Sequence, residues 1–516
     1  MTTTRRDLFK MAGTLGLAGS VGAVASTLPL EAAEAAVTPK PGSAFVPTDQ
    51  NLHLLRRATF GPTPDLLASV RNKGRAGWLD AQLDANSIDD SDCEKFVKSR
   101  FPKLFWTIPE ARNKVAKGDR WDYLISLAMA TIARQTWSKR QLHEVMCDFW
   151  SNHLHVTAPI EGVWFSRHDY DRKVIRQHAL GRFEDMLIAS AQHPAMLLYL
   201  NNAESTKVEP NENYGRELLE LHTVGLDASY SEAEMFDSAL IMTGFTVDAE
   251  DGTFRYNGYS HHTGPVKVLD FEDNNPTGGG GYDVALRYLR YLAQHPSTAR
   301  HIARKLCVRF VSDEPDEALV DALAQTYLDN ESEIAPVLRH LFTSEAFESS
   351  LGDKTRRPLE DVIATLRILG FRPEQRGTDA MRSLYYICNE VGQAPFAWDL
   401  PDGYPDTATA WQSAGTTLNR WNRHLSLAGG WFPKTLRKPP LRSLLPKRLP
   451  RTFGGMVDDL AKRLVFRELS KEHRDVVLSL LQRRAGDPFT ANHADAHWLM
   501  APAVAIILDS PYHGIR

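Results

Sequence analysis

A helical period runs through most of this chain and constrains its fold more than any other feature. Apolar residues recurring at i, i+3, i+4 and i+7 mark amphipathic helices. They do so at 66–83, 121–137, 139–155, 171–192, 213–223, 231–242, 283–293, 296–311 and 316–327. The same pattern continues at 334–341, 358–369, 379–390, 415–427, 456–465, 470–484 and 496–508. The first run follows Thr63-Pro64-Asp65, a combination suited to a helix start. Strand signals are sparse. Phe245-Thr246-Val247 and Thr253-Phe254-Arg255-Tyr256 alternate β-formers around Asp251-Gly252, which predicts a hairpin near 244–258. The expected fold class is therefore mainly α, a large multi-helix globular domain with one small inserted β-hairpin. No fixed-period repeat points to a solenoid.

The chain opens with Thr4-Arg5-Arg6-Asp7-Leu8-Phe9-Lys10, and no charged residue follows between Met11 and Leu30. Paired arginines ahead of an uncharged run fit a twin-arginine export signal. Ala33 and Ala35 then supply an A-x-A processing site. The same run is long enough for a membrane anchor, but its four glycines make it only weakly apolar. The expected organisation is a signal peptide at 1–35, a main helical domain at 36–433 with a Gly-rich loop at 272–281, a basic Pro-rich linker at 434–451, and C-terminal helices at 452–516 packing on the main domain. Its location is then outside the cytoplasm: periplasmic, cell-wall-associated or secreted. Cargo of this route folds before transport, often around a metal or cofactor.

A formal charge of -4 gives no basic face of the kind a nucleic-acid binder needs. No later apolar run could span a membrane, so the mature chain should have no integral span. The four cysteines form no C-x-x-C pair. Cys147 and Cys307 lie in apolar helical patterns, where a free thiol packs as a small hydrophobe.

Six segments carry a family likeness: His53-Leu54-Leu55-Arg56-Arg57-Ala58-Thr59-Phe60-Gly61; Asp148-Phe149-Trp150-Ser151-Asn152-His153; Asn211-Glu212-Asn213-Tyr214-Gly215-Arg216-Glu217-Leu218-Leu219-Glu220-Leu221; His262-Thr263-Gly264 with Lys267; His295-Pro296-Ser297-Thr298-Ala299-Arg300 running into Lys305; and Gly392-Gln393-Ala394-Pro395-Phe396 with Pro401-Asp402-Gly403-Tyr404-Pro405. In this order they resemble the bacterial domain of unknown function 1800 family over nearly all of the mature chain. The resemblance implies an exported protein and brings no established activity with it. It also implies a partner, a co-exported protein of the domain of unknown function 1501 family, whose genes commonly lie alongside. The position of His222 varies within the family, which sets that residue aside as a shared catalytic group.

The residues themselves suggest where chemistry could sit. Asn213, Glu217 and Glu220 share one helix face, beside a row of Glu212, Arg216 and Glu220. Two carboxylates three residues apart can hold a cation, or one can act as base while the other orients it. The alternative is a salt-bridged solvated face. His153 lies among Phe149 and Trp150, where an apolar setting favours the neutral imidazole that ligates metals. His262 and Lys267 follow the hairpin, as an imidazole and an anion-holding ammonium. Trp398 and Tyr404 form an aromatic loop able to stack on a sugar or fold as a lid. The expected catalytic group is Glu217, Glu220, Arg216 and His153. Lys267, Trp398 and Tyr404 would hold substrate, and His153, Glu217, Glu220 and His262 would bind a divalent metal. No H-E-x-x-H occurs, and His143-Glu144 lacks a second histidine at that spacing. Three readings remain open: a metal-assisted hydrolase or oxidase, a non-catalytic envelope scaffold, and a polysaccharide-binding or processing protein.

Overall fold

Thr63 Oγ1 accepts the Leu66 amide at 3.2 Å and Pro64 takes the first helical position, so the chain enters helix Pro64–Leu83 as its sequence indicates. Gly74, at φ +74°, bends that helix midway. A computed structural model describes residues 43–516, which belong to one compact unit. The signal peptide expected at 1–35 lies outside the described residues. The protein is mainly α, with two two-stranded antiparallel sheets among the described residues. No described helix is long and apolar enough to cross a membrane.

Helices Arg120–Trp137 and Gln141–His153 form the centre. Trp150 is fully buried on the second, and its indole N–H donates to the Ala179 carbonyl at 2.9 Å. An aromatic of this size contributes much apolar burial, and its one polar atom is satisfied. All four cysteines are free and buried.

The expected hairpin forms from β1 (Phe245–Val247) and β2 (Phe254–Tyr256), paired Phe245 to Tyr256. A second hairpin was not expected: β3 (Val266–Val268) pairs with β4 (Phe271–Asp273) across Leu269, at φ +54°. Three-residue strands are too short to show a period of two. Glu234 and Asp237 of helix Glu232–Met242 hold this hairpin by accepting the Leu269 and Lys267 amides, at 2.9 and 2.8 Å. The Gly-rich loop is tied to the first hairpin. Gly258 passes so close to Gly278 that a Cβ there would lie 2.7 Å from the Gly278 carbonyl.

Some helices depart from their sequence pattern. In place of one helix at 171–192, a π turn at Asp171–Arg176 precedes a helix at Phe183–Ala191. The break has a tertiary cause. Phe183 N donates to Ser332 O and Ile334 N to Gly181 O, both at 3.0 Å, and this pairing pulls the backbone out of the helix. The run at 213–223 divides likewise, into helix Glu212–Glu217 and a π turn at Leu218–His222. The run at 470–484 stops earlier, as helix Lys471–Leu480, with Gln482 at φ +54° beyond it. In the basic segment 434–451, Leu436, Leu441, Leu444 and Leu445 are buried in the core.

Candidate functional site

Helix Gln141–His153 presents Glu144, Cys147, Asp148, Ser151 and Asn152 along one face, spaced by three, four, seven and eight residues. That face looks into a cavity of about 20 Å³, room for one water- or ion-sized species. The π turn adds Asp171 and Arg176, and helix Arg120–Trp137 adds Thr131. Gln393, Pro395, Phe396 and Tyr404 close it from a loop.

The loop is clamped on this helix. Asn152 Oδ1 accepts the Tyr404 amide at 2.9 Å, and the Phe396 carbonyl accepts the Ala158 amide at 2.8 Å. A Cβ on Gly403, at φ +71°, would fall on the Asn152 carbonyl. Beyond Tyr404, Asp406 enters a buried ion network. Glu360 accepts from Arg309, Arg357 and Arg516, Asp148 pairs with Arg357, and Arg309 reaches Asp406 at 3.4 Å. Buried charges persist only when paired in this way.

Two polar groups lining the cavity have no partner. Gln393 Oε1 accepts the Leu359 amide at 3.0 Å, while its Nε2 is buried without a hydrogen bond. Thr131 Oγ1 is likewise buried and unpartnered. An unmet buried donor costs roughly 1–3 kcal/mol, so a molecule or ion that satisfies it is favoured there.

Beside them, His143, Glu144 and Cys147 each place a ligand atom within 4.8 Å of the others. His143 Nδ1 is 3.7 Å from both Cys147 Sγ and Glu144 Oε1. In its neutral form His143 donates Nε2–H to the Arg176 carbonyl at 2.9 Å and keeps its lone pair on Nδ1. The Arg176 guanidinium binds both Glu144 oxygens, at 2.6 and 2.9 Å. Burial alone would raise the Glu144 carboxyl, but Arg176 holds it far below the usual carboxylate range. Burial would also lower His143, yet Cys147 and Glu144 push it up to about 10. The local field therefore favours positive charge.

A second set of ligand atoms within 4.8 Å comprises Asp361, His424 and His513. It is closed on itself. His424 bridges Asp361 Oδ2 and Asp509 Oδ1, both at 2.8 Å, and His513 Nε2 meets Thr365 Oγ1 at 3.1 Å.

The cavity is thus built from the Asp148–Asn152 segment and from the Gln393–Phe396 and Tyr404 segments, two of those carrying the family likeness. The family model described as "Protein of unknown function (DUF1800)" matches residues 53–513. The chain belongs to this family. No curated protein and no solved structure matches it. Family membership thus brings no activity with it, and the chemistry of this DUF1800 protein has to be read from its own side chains.

Of the residues singled out from sequence, Tyr404 lines the cavity, its hydroxyl donating to Ala394 O at 3.0 Å. Trp398 lies tilted against Tyr404, with ring centres 5.1 Å apart, and donates its indole N–H to Asp402 Oδ1 at 2.8 Å. His153 follows the cavity-lining Asn152 but does not line the cavity itself; it is buried, with Nε2 3.0 Å from His222 O. Glu217 is buried, and its charge raises the nearby Tyr199 hydroxyl, after burial and against the Thr157 hydrogen bond. Glu220 lies on the outer side of the same turn. Arg216 reaches it at 3.6 Å, alongside Glu232 at 3.0 Å and Glu212 at 3.4 Å. That row is the half-exposed ion-pair face which spacing alone also allowed. Lys267 is exposed on β3 and paired with Glu272 at 2.6 Å. His262 is half-buried, its carbonyl accepting from Asn275 Nδ2 at 2.8 Å. Among the described residues, His153, Glu217, Glu220 and His262 are not gathered as three ligand atoms within 4.8 Å.

Sequence reading missed His143 and Cys147 as a pair. Their i, i+4 spacing was the available signal, since it stacks both on one helix face. Gln393 and Thr131 carried none, because their unmet donors exist only once the loop has closed.

Proposed function

We propose that this protein is an exported metal-assisted hydrolase whose ion is held by His143, Glu144 and Cys147 at the wall of the cavity. The observation that carries this reading is the convergence of those three ligand atoms within 4.8 Å. Their supports are of the kind metal ligands use. A backbone carbonyl fixes the far nitrogen of His143, and a guanidinium fixes the Glu144 carboxylate. A thiolate, an imidazole and a carboxylate suit a zinc-class ion and leave a coordination position open. Bound there, such an ion would supply Lewis acidity and a more acidic water. Gln393 Nε2 and Thr131 Oγ1 stand ready to donate hydrogen bonds to an oxygen in the same space. The paired Arg5 and Arg6, the uncharged run behind them and the small residues at Ala33 and Ala35 support export as folded cargo.

The test is elemental analysis of the protein recovered after native export, with His143→Ala and Cys147→Ala alongside. About one zinc-class ion per chain is expected, lost in both variants, together with hydrolysis of small ester or amide reporters that chelation abolishes. A folded exported chain that carries no ion and takes up none from added Zn²⁺ or Mn²⁺ would overturn the proposal. That outcome favours the scaffold reading, in which Glu144 and Arg176 are a structural pair.

A further inference from the structure

Three histidines from separate elements meet near Lys305. His153 ends helix Gln141–His153, His222 ends the π turn Leu218–His222, and His301 lies one turn before Lys305 on helix Pro296–Phe310. The His153 ring centre is 6.4 Å from that of His222 and 5.9 Å from that of His301. Hydrogen bonding decides which nitrogens are left over. His153 Nε2 meets the His222 carbonyl at 3.0 Å, and His301 bonds the Leu221 backbone. A carbonyl only accepts, so His153 carries its proton on Nε2 and leaves Nδ1 a bare lone pair. His153 Nδ1, His301 Nε2 and both nitrogens of His222 are buried without partners. Burial, and then the Lys305 charge, keep all three rings neutral.

Lys305 itself is half-buried and makes no hydrogen bond or ion pair with the described residues. Asp402 and Asp406 act on it only through space. An anion would meet bare imidazole lone pairs here. A metal would find ring nitrogens less gathered than at His143 or Asp361.

We propose that Lys305 is a nucleophilic amine that takes a small aldehyde or ketone as an imine, beside imidazoles that stay neutral. The ammonium first loses a proton to solvent. The freed Nζ electron pair attacks the carbonyl carbon, and a proton passes from nitrogen to oxygen to give a carbinolamine. As its C–O bond breaks, a proton from solvent goes to the oxygen, which leaves as water. The product is a protonated imine, with no change of oxidation state. Burial supports this by lowering Lys305 to about 8 against the opposing pull of Asp402 and Asp406. Roughly a tenth of the amine is then neutral at pH 7, compared with far less for an ordinary lysine near 10.4. This site shares no residue with the proposed metal ligands, so either reading can fail alone.

The test treats the folded full-length chain with acetaldehyde and cyanoborohydride at pH 7 and maps ethylated lysines by peptide mass spectrometry. Lys305 should react on the order of 100-fold faster than surface lysines, at a rate close to that of the α-amino group. Its rate should rise with pH to a midpoint near 8, and Lys305→Arg should lose the label. A Lys305 that stays unlabelled, or that reacts no faster than surface lysines, overturns the inference. Protection of Lys305 by inorganic phosphate also overturns it and makes the site an anion site. The main reading is taken on the unaltered chain, so it does not depend on the variant folding.

Discussion

Arg176 lays its guanidinium along Glu144, with Nη2–Oε1 at 2.6 Å and Nη1–Oε2 at 2.9 Å, while its own carbonyl accepts from His143 Nε2 at 2.9 Å. One residue of a π turn thus orients two of the three proposed ligands. The i→i+5 closure of that turn, a rare geometry often found at functional sites, also sets Asp171 and Arg176 on the cavity together.

Replacing Arg176 by Lys keeps a positive charge and loses the two-pronged contact. Metal affinity should fall by roughly 10–100-fold, the usual cost of removing a ligand's support. Competition titration with a chelator measures it, and an unchanged affinity would separate Arg176 from the metal reading.

Glu360 accepts from Arg309, Arg357 and Arg516 inside the protein. Glu360→Gln leaves three guanidiniums without their shared carboxylate. Urea denaturation should show a loss of about 3–5 kcal/mol. A loss below 1 kcal/mol would mean that water replaces the carboxylate.

His424 gives a pH dependence with a definite sign. Burial would lower it, but Asp361 and Asp509 raise it to about 9. Asp361 is held low by His424 against its burial, whereas burial raises Asp509. A group raised in the folded state stabilises fully below its unfolded value, near 6.5, and loses that contribution as pH rises through about 9. The share amounts to about 3 kcal/mol. Denaturation at pH 6.5 and at pH 10 should show it, and His424→Gln should flatten the difference. Equal slopes in both proteins would assign the loss to other groups.

Gly403→Ala forces a side chain into φ +71° and onto the Asn152 backbone. The strain should cost about 1–3 kcal/mol and loosen the loop over the cavity. Hydrogen exchange at the Tyr404 amide, now bonded to Asn152 Oδ1, reads this directly. Protection equal to the unaltered chain would show that the loop can shift sideways at no cost.

The helical runs were legible because a 3.6-residue period records one buried face, and capping residues such as Thr63 and Ser231 record where a helix starts. The hairpin at 245–256 was legible because a turn between alternating β-formers is a local signal. Residues 266–273 gave no such signal, since their strands are short and are held by Glu234 and Asp237 from another element.

The candidate site was legible only in part. Tyr404 and the Asp148–Asn152 face were within reach of sequence reading, whereas His153 lies outside the cavity. The i, i+4 spacing of Arg216 with Glu220 and of His143 with Cys147 was a local signal, whereas the closure of Gln393 over Glu144 and Cys147 follows only from packing between distant segments.

By itself the sequence determined a mainly helical chain, a family membership and the faces that helices would bury, because those are properties of neighbours within a turn or two. Only the tertiary structure decided where the helices break, which buried donors are left unmet, and which charges are paired. Those depend on residues hundreds of positions apart, such as Arg357 on Asp148 or Gln393 over Cys147, whose interactions exist only after the interior has excluded water.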